Sequence, residues 1–279
     1  MNRKIALACF LFFTGKCVLF AQNDPRDPVP FFEKSDFTLL VEPQDPPGVL
    51  ITTPPQFPVR TMAEWEELQG LMIAWTGFPN ILAEIVRAAK DETNVIILCK
   101  DAATVTSCKS KLSSKGVDFS TNVTFLIGNY DSIWSRDYGP NNVYKNDVDS
   151  LIFVDWRYNR PQRPKDDAVP GLIGDFLGVP VYSTTQDPTG LVNTGGNFMT
   201  DGMGTAFASK LILDENDGSS TYGYSAKSEA EIDAIFQDFM GISRYIKLET
   251  LPYDVIHHID MHIKLLDEET LMVSEYPLN

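Results

Sequence analysis

From Leu71 onward the chain alternates short apolar runs with amphipathic stretches of helical period, and this pattern limits the fold more than any other feature. "LMIAW" (71–75), "NVIILC", "VTFLIG", "SLIFVDW", "VPVYST" and "RYIKLE" are too short for helices and are bounded by turn residues, so they read as strands. Between them, "NILAEIVRAAKD" places Ile81, Leu82, Ile85, Val86 and Ala89 on one helical face, with Asn80 as the expected N-cap. "AATVTSCKSKLSSKG" and "AVPGLIGDFLG" also read as helices. "SEAEIDAIFQDFMG" carries the strongest signals. Ser228 and Glu231 form a capping box, Ile232, Ile235, Phe236, Phe239 and Met240 form a buried stripe, and Gly241 stops the helix. A recurring strand–helix–strand unit predicts an α/β fold, either an open sheet or units repeated around an axis.

The pattern does not begin at the first residue. "MNRKIALACFLFFTGKCVLFAQ" opens with Arg3 and Lys4, runs apolar from Ile5 to Phe13 and ends on Ala21, which predicts a signal peptide over residues 1–21 and a secreted or periplasmic product. Lys16 interrupts the apolar run and argues against a spanning anchor, so no membrane association is expected after cleavage. Residues 22–58 read as an extended arm. Half of the 18 prolines fall there, from Pro25 to Pro58, and each biases its predecessor away from helix. The folded domain is expected over 59–279. A formal charge of −15 disfavours nucleic acid as a partner. Oligomeric state is not legible. Cys9 and Cys17 fall in the signal, and Cys99 and Cys108 are open to two readings, a disulfide or a pair of buried thiols.

Three stretches carry chemistry. In "DSIWSRDYGPNNVY" the Gly139–Pro140 turn places Trp134, Arg136 and Asp137 near a strand end or loop. In "NTGGNFMTDGMGTAF" the paired glycines allow close backbone approach, and Asn197 after them is placed to offer its amide to a substrate. "VIHHIDMH" (255–262) holds all three histidines of the chain together with Asp260. Its apolar neighbours and the following "HIKLLDEETLMVSEY" predict a β-hairpin. Alternation along such a strand puts His258, Asp260 and His262 on one face and His257 on the other. The spacing is not that of HEXXH and no fourth ligand is in view, so no metal site is expected. Neither GxGxxG nor GxxxxGK[ST] occurs, which removes the simplest nucleotide-binding readings, and no cofactor is expected.

"TMAEWEELQGLMIAW", "SIWSRDYGP", "NTGGNF" and "HHID", in that order, resemble the agmatine deiminase and bacterial (Porphyromonas-type) peptidylarginine deiminase family from about Thr61 onward. The combination Trp-x-Arg-Asp-x-Gly-Pro followed by His-x-Asp carries the resemblance. It implies a pentein fold, an α/β propeller of five ββαβ-like units about a pseudo-fivefold axis. It also implies roles: Asp137 and Asp260 grip the substrate guanidinium, His258 is the general acid–base, and Trp134 packs on the substrate. The residue types suit the task, because a guanidinium is a permanently charged planar fork that carboxylates engage in bidentate fashion. In the family a cysteine thiolate attacks the guanidinium carbon, ammonia departs and water hydrolyses the adduct.

The family's cysteine lies well after His-x-Asp, whereas this sequence gives 19 residues beyond Asp260 and neither Cys99 nor Cys108 sits in a matching motif. The expectation is therefore a fragment whose last unit is incomplete and which shows no turnover. An export signal favours a peptidyl-arginine substrate, and agmatine is the alternative. The resemblance also implies arginines after the first aspartate that hold the substrate's C-terminal carboxylate, and in "WRYNRPQRP" Arg160 and Arg163 are the candidates. Two rival readings are a guanidine-binding protein without catalysis and a metal hydrolase built on the histidines.

Overall fold

The computed structural model describes residues 50–275. The expected signal sequence and the expected arm up to residue 49 lie outside the described residues. The chain divides into two compact units, one spanning Trp65–Ser135 and the other joining the segment that ends at Glu64 to everything from Arg136 onward. No helix among the described residues is long and apolar enough to cross a membrane.

The first unit is a three-stranded parallel sheet with Asn94–Cys99 between Gly70–Ala74 and Val123–Ile127. Five consecutive residues of the middle strand, Val95 to Cys99, are buried, as a parallel strand covered on both faces requires. Helix Pro79–Ala89 buries Leu82, Ala83, Val86 and Ala89, and helix Ala102–Ser114 buries Val105, Cys108 and Leu112. The second helix is capped by Asp101, whose carboxylate accepts the Thr104 N–H at 2.7 Å. The first helix departs from expectation. Pro79 occupies its first turn after Phe78, so Asn80 lies inside the helix instead of capping it. Cys99 and Cys108 are free thiols with no exposed surface. Hydrogen bonding to Cys99 and burial hold the Cys108 thiol far above its ordinary range.

The second unit contains a mixed sheet whose central strand is Ser150–Tyr158. Asn141–Lys145 pairs with it antiparallel, and Val59–Thr61 pairs antiparallel with Asn141–Lys145. Val181–Thr184 and then Val192–Asn193 pair parallel along its other edge. A second sheet places Thr205–Ser209 between Arg244–Leu248, parallel, and Met199–Thr200, antiparallel. Helix Glu229–Met240 forms as its sequence predicts: the Ser228–Glu231 capping box is present, Gly241 adopts φ 70°, and all five stripe residues are buried. That stripe meets an aromatic cluster in which Phe236 lies 4.4 Å from Tyr245 and 5.6 Å from Phe198, centroid to centroid, with Trp156 5.6 Å from Phe198.

The histidine stretch is not a strand. Asp254 gathers the N–H groups of Val255, Ile256 and His257, and His257 takes a left-handed φ of 60°. His258 then caps a short 3-10 turn, Ile259–Met261. The predicted hairpin begins only after His262, pairing Ile263–Leu265 with Leu271–Val273.

Phe236 is fully buried at the centre of its cluster. Phe236→Ala is expected to lower the unfolding free energy by about 3–5 kcal/mol, read from urea denaturation monitored by far-UV circular dichroism.

Candidate active site

The site is assembled in the second unit around a turn with no side chains at its two tightest points. Strand Val192–Asn193 runs into a 3-10 turn, Gly195–Asn197. A Cβ on Gly195 would sit 2.0 Å from the Arg136 carbonyl oxygen. A Cβ on Gly196 would sit 2.3 Å from His258 Nδ1 and 2.8 Å from Asp137 Oδ1. Glycine is needed at both positions for contact rather than for unusual dihedral angles. The Gly196 N–H donates to Asp137 Oδ1 at 3.2 Å.

Asn197 locks the turn to its surroundings. Its Oδ1 accepts the N–H groups of Ser209 (2.8 Å) and Ile259 (3.2 Å), and its Nδ2 donates to the Ser209 carbonyl at 3.4 Å. The Ser209 hydroxyl donates to the His257 carbonyl. The amide expected to face a substrate is thus fully buried and engaged with backbone, and its task is to bring residues 257–259 against the glycine turn.

That bracket sets His258 Nδ1 3.7 Å from Asp137 Oδ1, a charge–charge distance rather than a hydrogen bond. Burial lowers the His258 pKa from its usual value, and the Asp137 charge opposes the shift. Burial pushes the Asp260 carboxyl up to about 6, with Arg136 opposing and Asp137 adding to the rise. Arg136 is the cation whose charge bears on both carboxylates. Its Nε donates to the Gly195 carbonyl (3.1 Å), its Nη2 donates to the Phe198 carbonyl (3.3 Å), and it is ion-paired with Glu64. Glu64 in turn pairs with Lys264, which burial holds down at about 8. Neutral imidazole, two carboxyls under mutual repulsion and a fixed guanidinium make a setting suited to proton transfer beside a cationic ligand.

The remaining candidates are distributed more widely. Trp134 belongs to the first unit and is exposed. Arg163 Nη1 donates to the Tyr158 hydroxyl at 3.2 Å, and the Tyr158 ring lies edge-on to Tyr138 with centroids 6.0 Å apart. Arg160 donates to the Asn159 carbonyl, and its charge acts on His258. Arg157, from the same stretch, is engaged inside the fold by Asp167 and the Tyr224 hydroxyl. His262 is buried and carries no part of this cluster, and His257 is held by its backbone turn. Among the described residues no three His, Cys, Asp or Glu side chains are grouped to hold a metal ion. Sequence reasoning left Arg136 without a role and missed Glu64 and Lys264. Nothing in the local pattern of either of the last two marks it.

Residues 60–277 match the family model described as Porphyromonas-type peptidyl-arginine deiminase. The chain belongs to this family. Solved structures of related deiminases share its mixed α/β fold. The agmatine deiminase of Enterococcus faecalis is 20% identical at a TM-score of 0.65, with 80% of this chain covered and 62% of that one. The agmatine deiminase of C. jejuni is 21% identical at 0.58, covering 76% and 62%. A proposed arginine deiminase of Porphyromonas gingivalis is 17% identical at 0.62, covering 77% and 65%. The chain spans less than two thirds of the length of each of these proteins.

In this Porphyromonas-type deiminase chain the three histidines allow a direct check. His258 is expected to titrate below the ordinary histidine range in proton NMR of the imidazole signals. Asp137→Asn removes the charge that opposes burial and is expected to lower that pKa further.

Proposed function

We propose that the second unit binds the guanidinium of an arginine-type substrate of a deiminase, with Asp137 and Asp260 as the gripping carboxylates and His258 as the proton-transfer group. One observation carries this reading. Asp260, whose carboxyl burial and then the Asp137 charge push up to about 6, lies with Asp137 beside an imidazole that burial keeps neutral, and a guanidinium would pair with both carboxylates. Arg160 and Arg163 are assigned to a substrate carboxylate, which both free arginine and arginine at a peptide's C-terminus present. The export signal read from residues 1–21 supports a substrate met outside the cytoplasm. The five-unit propeller belongs to the same proposal, supported by the fold shared with the solved deiminases.

In the reaction a thiolate attacks the guanidinium carbon and the C–N bond to the departing nitrogen breaks. Ammonia takes a proton by way of His258, and water then releases the product and frees the sulfur. The thiols of residues 22–279 are Cys99 and Cys108, both in the core of the first unit without exposed surface, and hydrogen bonding to Cys99 and burial keep the Cys108 thiol protonated. This stretch is therefore proposed to bind guanidines without converting them. Citrulline formation by purified residues 22–279 would contradict that.

Calorimetric titration with arginine and agmatine tests the binding roles. Asp137→Asn and Asp260→Asn are each expected to weaken arginine binding by about tenfold or more at pH 8. Because Asp260 is raised to about 6, wild-type affinity is expected to fall as pH drops below 6, where its carboxyl becomes neutral. Arg160→Ala is expected to abolish any preference for arginine over agmatine, which lacks the carboxylate. An unchanged preference rejects the clamp.

A further inference from the structure

The chain carries a guanidinium of its own beside the carboxylates proposed for the ligand's. Arg136 precedes Asp137 in the short helix Ser135–Tyr138, and its charge acts on both Asp260 and Asp137. Arg136 and Asp137 engage opposite ends of one peptide group. The Gly195 carbonyl accepts Arg136 Nε at 3.1 Å, and the Gly196 N–H of the same unit donates to Asp137 Oδ1 at 3.2 Å. A trans peptide points its C=O and N–H in opposite directions, so the guanidinium and the carboxylate lie on opposite sides of it.

Two backbone carbonyls, those of Gly195 and Phe198, are weak holds for a guanidinium that has carboxylates within reach, because a charged acceptor makes roughly twice as strong a hydrogen bond as a neutral one. Glu64 supplies the missing strength. Its Oε1 is ion-paired with Arg136 Nη2, the nitrogen that also donates to Phe198, and its Oε2 is ion-paired with Lys264. The segment that carries Glu64 is fixed to the fold. The Met62 N–H donates to the Asn142 carbonyl at 3.0 Å, and the Thr61 hydroxyl donates to the Met240 carbonyl at 2.5 Å.

We propose that Glu64 is a positioning residue for guanidinium binding: it holds Arg136 on the carbonyl side of the Gly195–Gly196 peptide and so keeps the chain's own guanidinium out of the seat that Asp137 and Asp260 offer a ligand. This rests on the guanidine-binding reading above. Without the Glu64 charge, Asp137 and Asp260, which already act on Arg136, draw it toward themselves. A ligand then has to displace a tethered competitor of its own chemistry, present at high effective concentration. Held in place, Arg136 has the opposite effect. It polarises the Gly195 carbonyl, which strengthens the Gly196 N–H bond that orients Asp137.

The test is calorimetric titration of the purified chain with butylguanidine at pH 8, joined to proton NMR of the ligand-free imidazoles. Glu64→Gln is expected to weaken butylguanidine binding by about tenfold or more. Adding Arg136→Gln to that variant is expected to recover about fivefold or more, because the competitor is gone and glutamine keeps an N–H for the Gly195 carbonyl. A Glu64 that served only to hold the fold together predicts a further loss instead. The charged groups acting on His258 are Asp137, Arg160, Asp254 and Arg136. In Glu64→Gln without ligand the His258 pKa is expected to fall, since Arg136 then lies closer and offsets the Asp137 charge. If Glu64→Gln does not fold, Glu64→Met with Lys264→Met removes both charges of the pair at similar volume and takes its place in both arms. Unchanged affinity in the Glu64 variant overturns the proposal, as does an unchanged His258 pKa or a further loss on adding Arg136→Gln. Failure of wild type to bind butylguanidine at all faults the guanidine-binding reading itself, and the proposal falls with it.

Discussion

The catalytic-type cluster depends on a backbone contact that only a residue without a side chain permits. At Gly195 and Gly196 the chain lies close enough to Arg136, Asp137 and His258 that any Cβ would overlap them. Because Gly196 presents a bare N–H, it can donate to the Asp137 carboxylate and leave His258 beside it. Asn197, next in sequence, fixes the other side of the turn by holding Ser209 and Ile259. Three segments distant in sequence are thus brought to one place by two absent side chains and one buried amide.

The charges assembled there are balanced from behind. Arg136 bears on both carboxylates while its hydrogen bonds to the Gly195 and Phe198 carbonyls fix its position, and the Glu64–Lys264 pair extends the network away from the site. Burial works in opposite directions on the two titrating partners, raising Asp260 and lowering His258. The outcome is a group that readily holds a proton near one that readily releases it, which is the condition for moving protons around a cationic ligand. In the proposed reading the planar fork of a ligand guanidinium engages Asp137 and Asp260 in bidentate fashion.

The sequence showed its elements where local rules decide them. The Ser228–Glu231 box, the Gly241 stop and the buried run of Asn94–Cys99 all follow from periodicity and caps, and tertiary context had little to override. It misled where side chains reshape backbone. "VIHHIDMH" alternates like a strand, but three N–H groups converging on Asp254 and the left-handed His257 turn it into a 3-10 segment. His258 lies 3.7 Å from Asp137, a contact that strand alternation did not foresee. Asn197 was legible as important and not as a bracket, because its partners at Ser209 and Ile259 lie 12 and 62 positions away. Glu64 and Lys264 are long-range contacts of ordinary polar residues and carry no local signature.

The central claim is that the cluster of Asp137, His258 and Asp260 is complementary to a guanidinium and not merely to positive charge. Proton NMR of the three imidazoles during titration with butylguanidine, and separately with butylammonium, tests it most directly. The account predicts that butylguanidine shifts the His258 signal in a saturable way, leaves His257 in place, and does so at concentrations where butylammonium has no effect. Equal responses to the two cations, or no response of His258 to butylguanidine, would contradict it.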